Sequence, residues 1–255
     1  MINTPAPAAP ELRKPAIWRH EPIPYVRRII AVASGKGGVG KSTVTVNLAR
    51  AMQACGKRVG ILDADIYGPS VPRMMALSGQ PMIKNGKMIP LENHGIACMS
   101  MGFITGDEAA VMRGPMISKT LTQLLRMSEW ASKDAPMDTL LVDMPPGTGD
   151  IHLSMAQLVP LNGAIIVTTP QEIALLDARK CAKMFGKVNV PLLGVIENMS
   201  GSIFGSGGGK KLADEFSVPL LGSIPMNGDI CEMSDQGRVS EPAQKEYYIK
   251  IAEAL

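Results

Sequence analysis

From Arg28 onward, short apolar runs alternate with helix-length segments. Arg28–Ala33 (RIIAVA), Arg58–Asp63 (RVGILD), Thr139–Asp143 (TLLVD), Gly163–Thr168 (GAIIVT), Leu192–Ile196 (LLGVI) and Pro219–Ile224 (PLLGSI) are strand-length and nearly continuous in aliphatic residues. A strand with both faces covered has no polar side to show, and that is the condition inside a parallel sheet. Helices are predicted from Ser42 to about Cys55, from Ile117 to Trp130 and from Ile173 to Phe185. The pattern therefore predicts an α/β fold: a doubly wound, mostly parallel sheet with helices on both faces and right-handed crossovers. Between Ser78 and Met101 the rhythm breaks into short segments with turn dipeptides at Asn85-Gly86 and His94-Gly95, which predicts a hairpin excursion.

Residues 1–27 carry six prolines and no apolar core of the kind a secretory signal needs, so they read as a flexible tail ahead of one domain over 28–255. Composition narrows the classes further. No apolar run approaches the ~20 residues that span a bilayer. A balance of 26 basic against 23 acidic residues, net +3, gives no hint of a dedicated nucleic-acid surface. Neither a membrane nor a nucleic-acid partner is expected. Cys55, Cys98, Cys181 and Cys231 show no two-residue spacing; they read as free, mostly buried thiols in a reducing compartment, the cytoplasm or a mitochondrial matrix. The 18 methionines read chiefly as core filling, because only two Trp, four Phe and four Tyr are available to occupy space.

The strongest chemical signal is Gly35-Lys36-Gly37-Gly38-Val39-Gly40-Lys41-Ser42-Thr43, placed directly after a predicted strand and opening a predicted helix. It fits the phosphate-loop pattern GxxxxGK[ST], in which glycines let backbone N–H groups close around phosphate oxygens at a helix N-terminus. Lys41 is expected on the β- and γ-phosphates and the Ser42 hydroxyl on Mg²⁺. Asp63 and Asp65 follow the second strand, at the end that faces the ligand crevice of such a sheet. Asp63 is a candidate to hold Mg²⁺ through water, Asp65 to position an attacking water. Asp143 ends another apolar strand in the Walker B arrangement for Mg²⁺.

The second lysine, Lys36, makes the loop resemble the deviant Walker A motif of the MinD, ParA, nitrogenase-iron-protein and Mrp superfamily. The resemblance implies a homodimer in which Lys36 reaches the partner's nucleotide as a trans cation on the transferring phosphate. It also implies that Pro145–Asp150 is a switch, with the Gly147 N–H sensing the γ-phosphate. Further strings narrow the likeness: LDADIYGPSVPRM, MRGPM, DMPPGTGD, VTTPQ, ENMS, FGSGGGKKLA and GSIP, in this order, resemble the Mrp/ApbC-type iron–sulfur cluster carrier ATPases over essentially Arg28 to Leu255. From that family, Asn198 would read adenine and the segment around Pro225 would wall the base.

The family resemblance further implies a slow, Mg-dependent ATP hydrolase acting in iron–sulfur cluster assembly or transfer, as carrier or as cluster-free partner of scaffold or recipient proteins. Cluster-carrying members usually have a CxxC between the ENMS and FGSGGG segments, from which two chains ligate a shared [4Fe–4S] cluster. Here Met199 runs through Gly201-Ser202-Ile203 into Phe204 with no cysteine between Cys181 and Cys231, so the usual ligands are absent. The competing expectation is a MinD- or ParA-like positioning ATPase that binds membrane or DNA according to its nucleotide state. His20, His94 and His152 read as satisfied or solvated histidines.

Overall fold

A computed structural model describes residues 21–66, 68–105, 114–149, 152–153, 156, 159–238 and 242–255. The predicted tail and His20 lie largely outside the described residues, as does Asp150. Val26–Ala33 (β1) is the central strand, hydrogen-bonded in parallel to Met137–Asp143 (β7) on one side and Gly163–Thr168 (β8) on the other. Beyond β7 lie Val59–Asp63 (β2), Ile96–Ser100 (β6) and Leu91–Asn93 (β5). Beyond β8 lie Leu192–Ser200 (β9) and Leu220–Pro225 (β10), giving the order β10-β9-β8-β1-β7-β2-β6-β5. Every pairing is parallel except β5 against β6, an antiparallel edge. A second, two-stranded sheet is the hairpin of Met82–Lys84 (β3) and Lys87–Ile89 (β4).

Along β1 the side chains divide by parity. Ile29, Ala31 and Ala33 enter one apolar core, Ile30 and Val32 the other. The first core is covered by Gly114–Arg126 (α4), Glu172–Lys187 (α5) and Gly208–Glu215 (α6), through residues such as Leu121, Phe185 and Leu212. The second is covered by Lys41–Ala54 (α1), Val71–Met74 (α2) and Pro242–Glu253 (α8), through Leu48, Met75 and Ile251. Short helices Met101–Thr105 (α3) and Gly228–Asp235 (α7) complete the described set. Two covered faces explain why the strands read as unbroken apolar runs.

The fold matches the predicted class, with differences at particular elements. β1 starts at Val26, and Ile23 already packs into the first core at 4% exposure, so the last residues assigned to the tail belong to the domain. Both predicted turns exist, with Asn85, Gly86, His94 and Gly95 all at positive φ. The segment is more than an excursion, however, because Ile96–Ser100 returns as a main-sheet strand parallel to β2. Cys98 and Cys181 are buried as expected; Cys55, at the C-terminal end of α1, is exposed, because its helix ends there with no element covering it. Met74, Met75, Met99 and Met101 fill core, as the scarcity of aromatics requires.

Candidate functional site

The sheet reverses its winding at β1, and loops after β1, β2 and β7 meet at the carboxyl ends of those strands. That is where ligands bind in doubly wound sheets. The loop 35–40 leaves β1 and enters α1 through Gly40, whose φ of 78° only glycine adopts easily. No side chain caps this helix, so its first-turn N–H groups point at the crevice with their positive field. Gly35 has a different role: a Cβ there would lie 2.1 Å from the Asp177 carbonyl, so the loop touches the backbone of α5. Ser34 Oγ donates to the Lys36 carbonyl at 3.0 Å and shapes the turn.

Lys41 Nζ sits 2.7 Å from Asp143 Oδ2, with both side chains buried. Ser42 Oγ donates to the same carboxylate oxygen at 2.6 Å, and Thr45 Oγ1 donates to Oδ1 at 2.7 Å. Thr45 was not anticipated; one helical turn beyond Lys41, it also bonds the Lys41 carbonyl at 3.0 Å and locks α1 onto β7. Asp63 lies on the neighbouring strand in register with Asp143. It accepts from Ser100 Oγ at 3.0 Å and from the Asp65 N–H at 3.1 Å. Burial, then the charge of Asp143, push the Asp63 carboxyl up to about 8, against the weaker opposing pull of Lys41 and the two donors. Two buried carboxyl groups thus face one buried ammonium. With Ser42, this oxygen-rich donor set suits a hard divalent cation, whose charge would favour the ionised form of Asp63.

A cavity of about 210 Å³ opens above this network, lined by Lys36, Gly37, Gly38, Gly40, Lys41, Ser42, Thr43, Asp65 and Pro146 among others. Asp65 therefore faces the crevice, whereas Asp63 and Asp143 lie behind it. Asp65 also accepts the Gly68 N–H at 3.2 Å. Lys36 is exposed and forms no ion pair among the described residues. Gly147 donates its N–H to the Ser34 carbonyl at 3.0 Å, so contact with a γ-phosphate would require that bond to exchange. Next to it, His152 Nε2 donates to the Pro145 carbonyl at 2.6 Å, while its Nδ1 is buried without a partner. Burial holds this imidazole below its usual pKa, in the neutral form. It is neither solvated nor fully satisfied, unlike the expectation from sequence, because the loop carrying Pro145 and Gly147 lies against it.

Asn198 Nδ2 donates to the Val39 carbonyl at 2.8 Å, and a Cβ on Gly40 would come within 2.3 Å of that nitrogen. The residue expected to read adenine thus also braces the phosphate loop. Pro225 closes β10 opposite Ser200. Glu197 escaped the sequence reading. Its buried carboxylate takes the N–H groups of Gly207 (3.1 Å) and Gly209 (2.6 Å) and the Ser223 hydroxyl (2.9 Å). The signal was available: a lone acidic residue inside the apolar run LLGVIENMS, ten residues before a glycine cluster.

Between these points the chain closes a tight turn, with Gly201 and Gly205 exchanging both backbone hydrogen bonds at 2.8 and 2.7 Å and Ile203 at the exposed tip. Among the described residues no three His, Cys, Asp or Glu side chains gather where they could hold a metal ion. Burial, then Asp63 and Asp143, push the Cys98 thiol far up, and burial pushes Cys181 to about 12, so neither offers a thiolate.

Fold and site together define a P-loop NTPase. A sequence model of the family described as "NUBPL iron-transfer P-loop NTPase" matches residues 25–255, and the chain belongs to that family. It is 49% identical over 253 residues to the "Iron-sulfur cluster transfer protein NUBPL" of Mus musculus, covering 92% of this chain and 78% of that one. It is 51% identical over 225 residues to the "Iron-sulfur cluster carrier protein" of Escherichia coli, covering 83% of this chain but only 60% of the relative. Among solved structures, a nucleotide-binding protein of Archaeoglobus fulgidus in complex with ADP superposes with a TM-score of 0.76 at 36% identity, over 88% of this chain and 93% of that one. The cell division ATPase MinD of Pyrococcus furiosus superposes with a TM-score of 0.69 at 22% identity over 89% and 97%, a likeness of fold alone.

Proposed function

We propose that this chain is a Mg²⁺-dependent ATPase that works as a homodimer in iron–sulfur cluster transfer. The observation that carries the nucleotide half is the uncapped N-terminus of α1 above the buried Lys41–Ser42–Asp143 network, since such a site is built for phosphate beside a cation. Lys41 leaves Asp143 for the β- and γ-phosphates when nucleotide enters. Ser42, with Asp143 and Asp63 through water, would hold Mg²⁺, which neutralises phosphate oxygens when bound. Asp65, on the crevice wall, orients the attacking water. Exchange of the Gly147–Ser34 hydrogen bond for a phosphate contact couples the nucleotide to the 145–149 loop. Lys36, exposed at the mouth and without an ion pair among the described residues, serves the nucleotide of a facing copy in this reading.

The iron–sulfur half rests on family membership. The cluster is cargo. Because no single copy gathers three ligands among the described residues, a cluster held here takes thiolates from more than one polypeptide, with the exposed Cys55 and Cys231 as this chain's accessible thiols.

Two experiments test the proposal. Lys36→Ala is expected to keep nucleotide affinity and lose ATP-driven dimerisation and turnover; turnover equal to wild type overturns the trans role. Anaerobic reconstitution with iron and sulfide, with iron counted per dimer, is expected to give a cluster that Cys231→Ser abolishes. An intact ATPase that binds no cluster assigns the chain to the cluster-free partner role.

A further inference from the structure

Far from the phosphate loop in sequence, the hairpin β3–β4 stands apart from the main sheet. Its attachment is narrow: Met88 donates its N–H to the Met127 carbonyl at 2.8 Å and accepts from the Glu129 N–H at 2.9 Å. Beyond that anchor, Met82 and Ile83 are 75% and 76% exposed, more than any other large apolar side chain described. An isolated two-stranded hairpin is marginal in water, so two large apolar side chains held out on one need a reason.

Between the hairpin and α4 lies a groove of about 200 Å³, walled by Ile83, Met88, Ile104, Leu124 and Met127. Helix α4 has two stripes. Ile117, Leu121, Leu124 and Leu125 enter the core, while Thr120, Gln123 and Met127, at helical spacing, line the groove, and the exposed Met116 continues their row. Methionine side chains adapt to varied apolar partners, which suits a docking surface.

The rim is basic. Lys84 and Lys87 flank the hairpin turn, and Lys119 and Arg126 lie on α4. None of the four forms an ion pair among the described residues. Elsewhere on the surface Lys180, Lys210, Lys211 and Lys250 each face a carboxylate. Lys84, Lys87, Lys119 and Arg126 all belong to the two elements that wall this groove. We infer that this groove docks an acidic, amphipathic helix of a partner protein, its apolar row seated between Ile83 and Met127 and its carboxylates on the four basic residues.

Charge decides between occupants. A second copy docked through the same patch would set eight cations against each other, which disfavours self-pairing. A bilayer presents a flat surface and leaves a concave groove unfilled. The proposal does not depend on nucleotide chemistry or on the cluster.

The test pans the intact protein, with ADP present, against a displayed library of random helical peptides. Enriched peptides are then measured by fluorescence anisotropy. Enrichment of acidic sequences with apolar residues at i, i+3 or i+4 and i+7 is expected. Their affinity is expected to fall at least ~10-fold with Ile83→Glu and with Lys84→Glu/Lys87→Glu. Both changes are at exposed positions, and unaltered ADP affinity verifies folding. The inference is overturned if no peptide binds saturably, or if the variants bind equally. It is also overturned if Ile83→Glu instead abolishes binding to anionic phosphatidylserine vesicles or shifts the oligomeric state, since the groove then serves a membrane or a second copy.

Discussion

Two segments of this chain share one construction: an apolar strand, a glycine-rich turn with a left-handed glycine, and a helix N-terminus. The first runs from β1 through Gly40 into α1, the second from β9 through Gly207 into α6. Both use a glycine for close approach as well as for the turn. A Cβ on Gly35 would strike the Asp177 backbone, and one on Gly208 would come within 2.3 Å of the Pro170 carbonyl. They differ in what fills the helix end. Around α1 the N–H groups are left uncapped beside Lys41. At α6 the chain's own Glu197 occupies the same kind of cradle. Glycine-rich turns make anion sites only where the fold withholds an internal carboxylate.

Four variants break or sharpen this contrast. Lys41→Ala has the largest expected effect: nucleotide affinity, by titration calorimetry, falls ~100-fold or more because the phosphates lose their one buried cation. Gly35→Ala comes next. The added Cβ meets rigid backbone at 2.1 Å, so a lower melting temperature and weaker ADP binding are expected together. Glu197→Ala strands two N–H groups and a hydroxyl, at a cost of about 1–3 kcal/mol in denaturant unfolding. With the first site saturated by ADP, sulfate should recover part of that loss in the variant and none in wild type. If sulfate has no such effect, the two helix ends are not equivalent.

The fourth variant reads a pH dependence at Asp63. Its carboxyl is raised from an ordinary value near 3.8 to about 8, so across that window the folded chain holds a proton the unfolded chain releases. Stability of the nucleotide-free protein therefore declines as pH rises through the window. Asp63→Asn, which cannot ionise, should melt above wild type at about pH 8.5, with the gap closing near pH 5. A gap independent of pH would refute the assignment.

The open cradle was legible in sequence because its signals are local and redundant: a spaced motif, a buried strand before it, a helix after it. The filled one was not. Glu197 acts through Gly207, Gly209 and Ser223, two of them reached only when α6 folds back and one only when β10 pairs with β9. Pattern also misjudged Ile96–Ser100. A short apolar run after a tight turn looks like the second arm of a hairpin, and only its parallel register with β2 makes it part of the main sheet. Thr45 was invisible for a related reason. A threonine one turn into a helix means nothing until Asp143 arrives from nearly a hundred residues away.

That distance has a counterpart in time. β1 leaves the ribosome well before its strand neighbours among the described residues, β7, from Met137, and β8, from Gly163. At ~5–20 residues per second, the strand waits on the order of ten seconds for its first partner. During synthesis IIAVA is an unpaired apolar edge until Met137–Asp143 has been made. Exposure to aggregation during synthesis is thus written into the central placement of a strand made well before its partners.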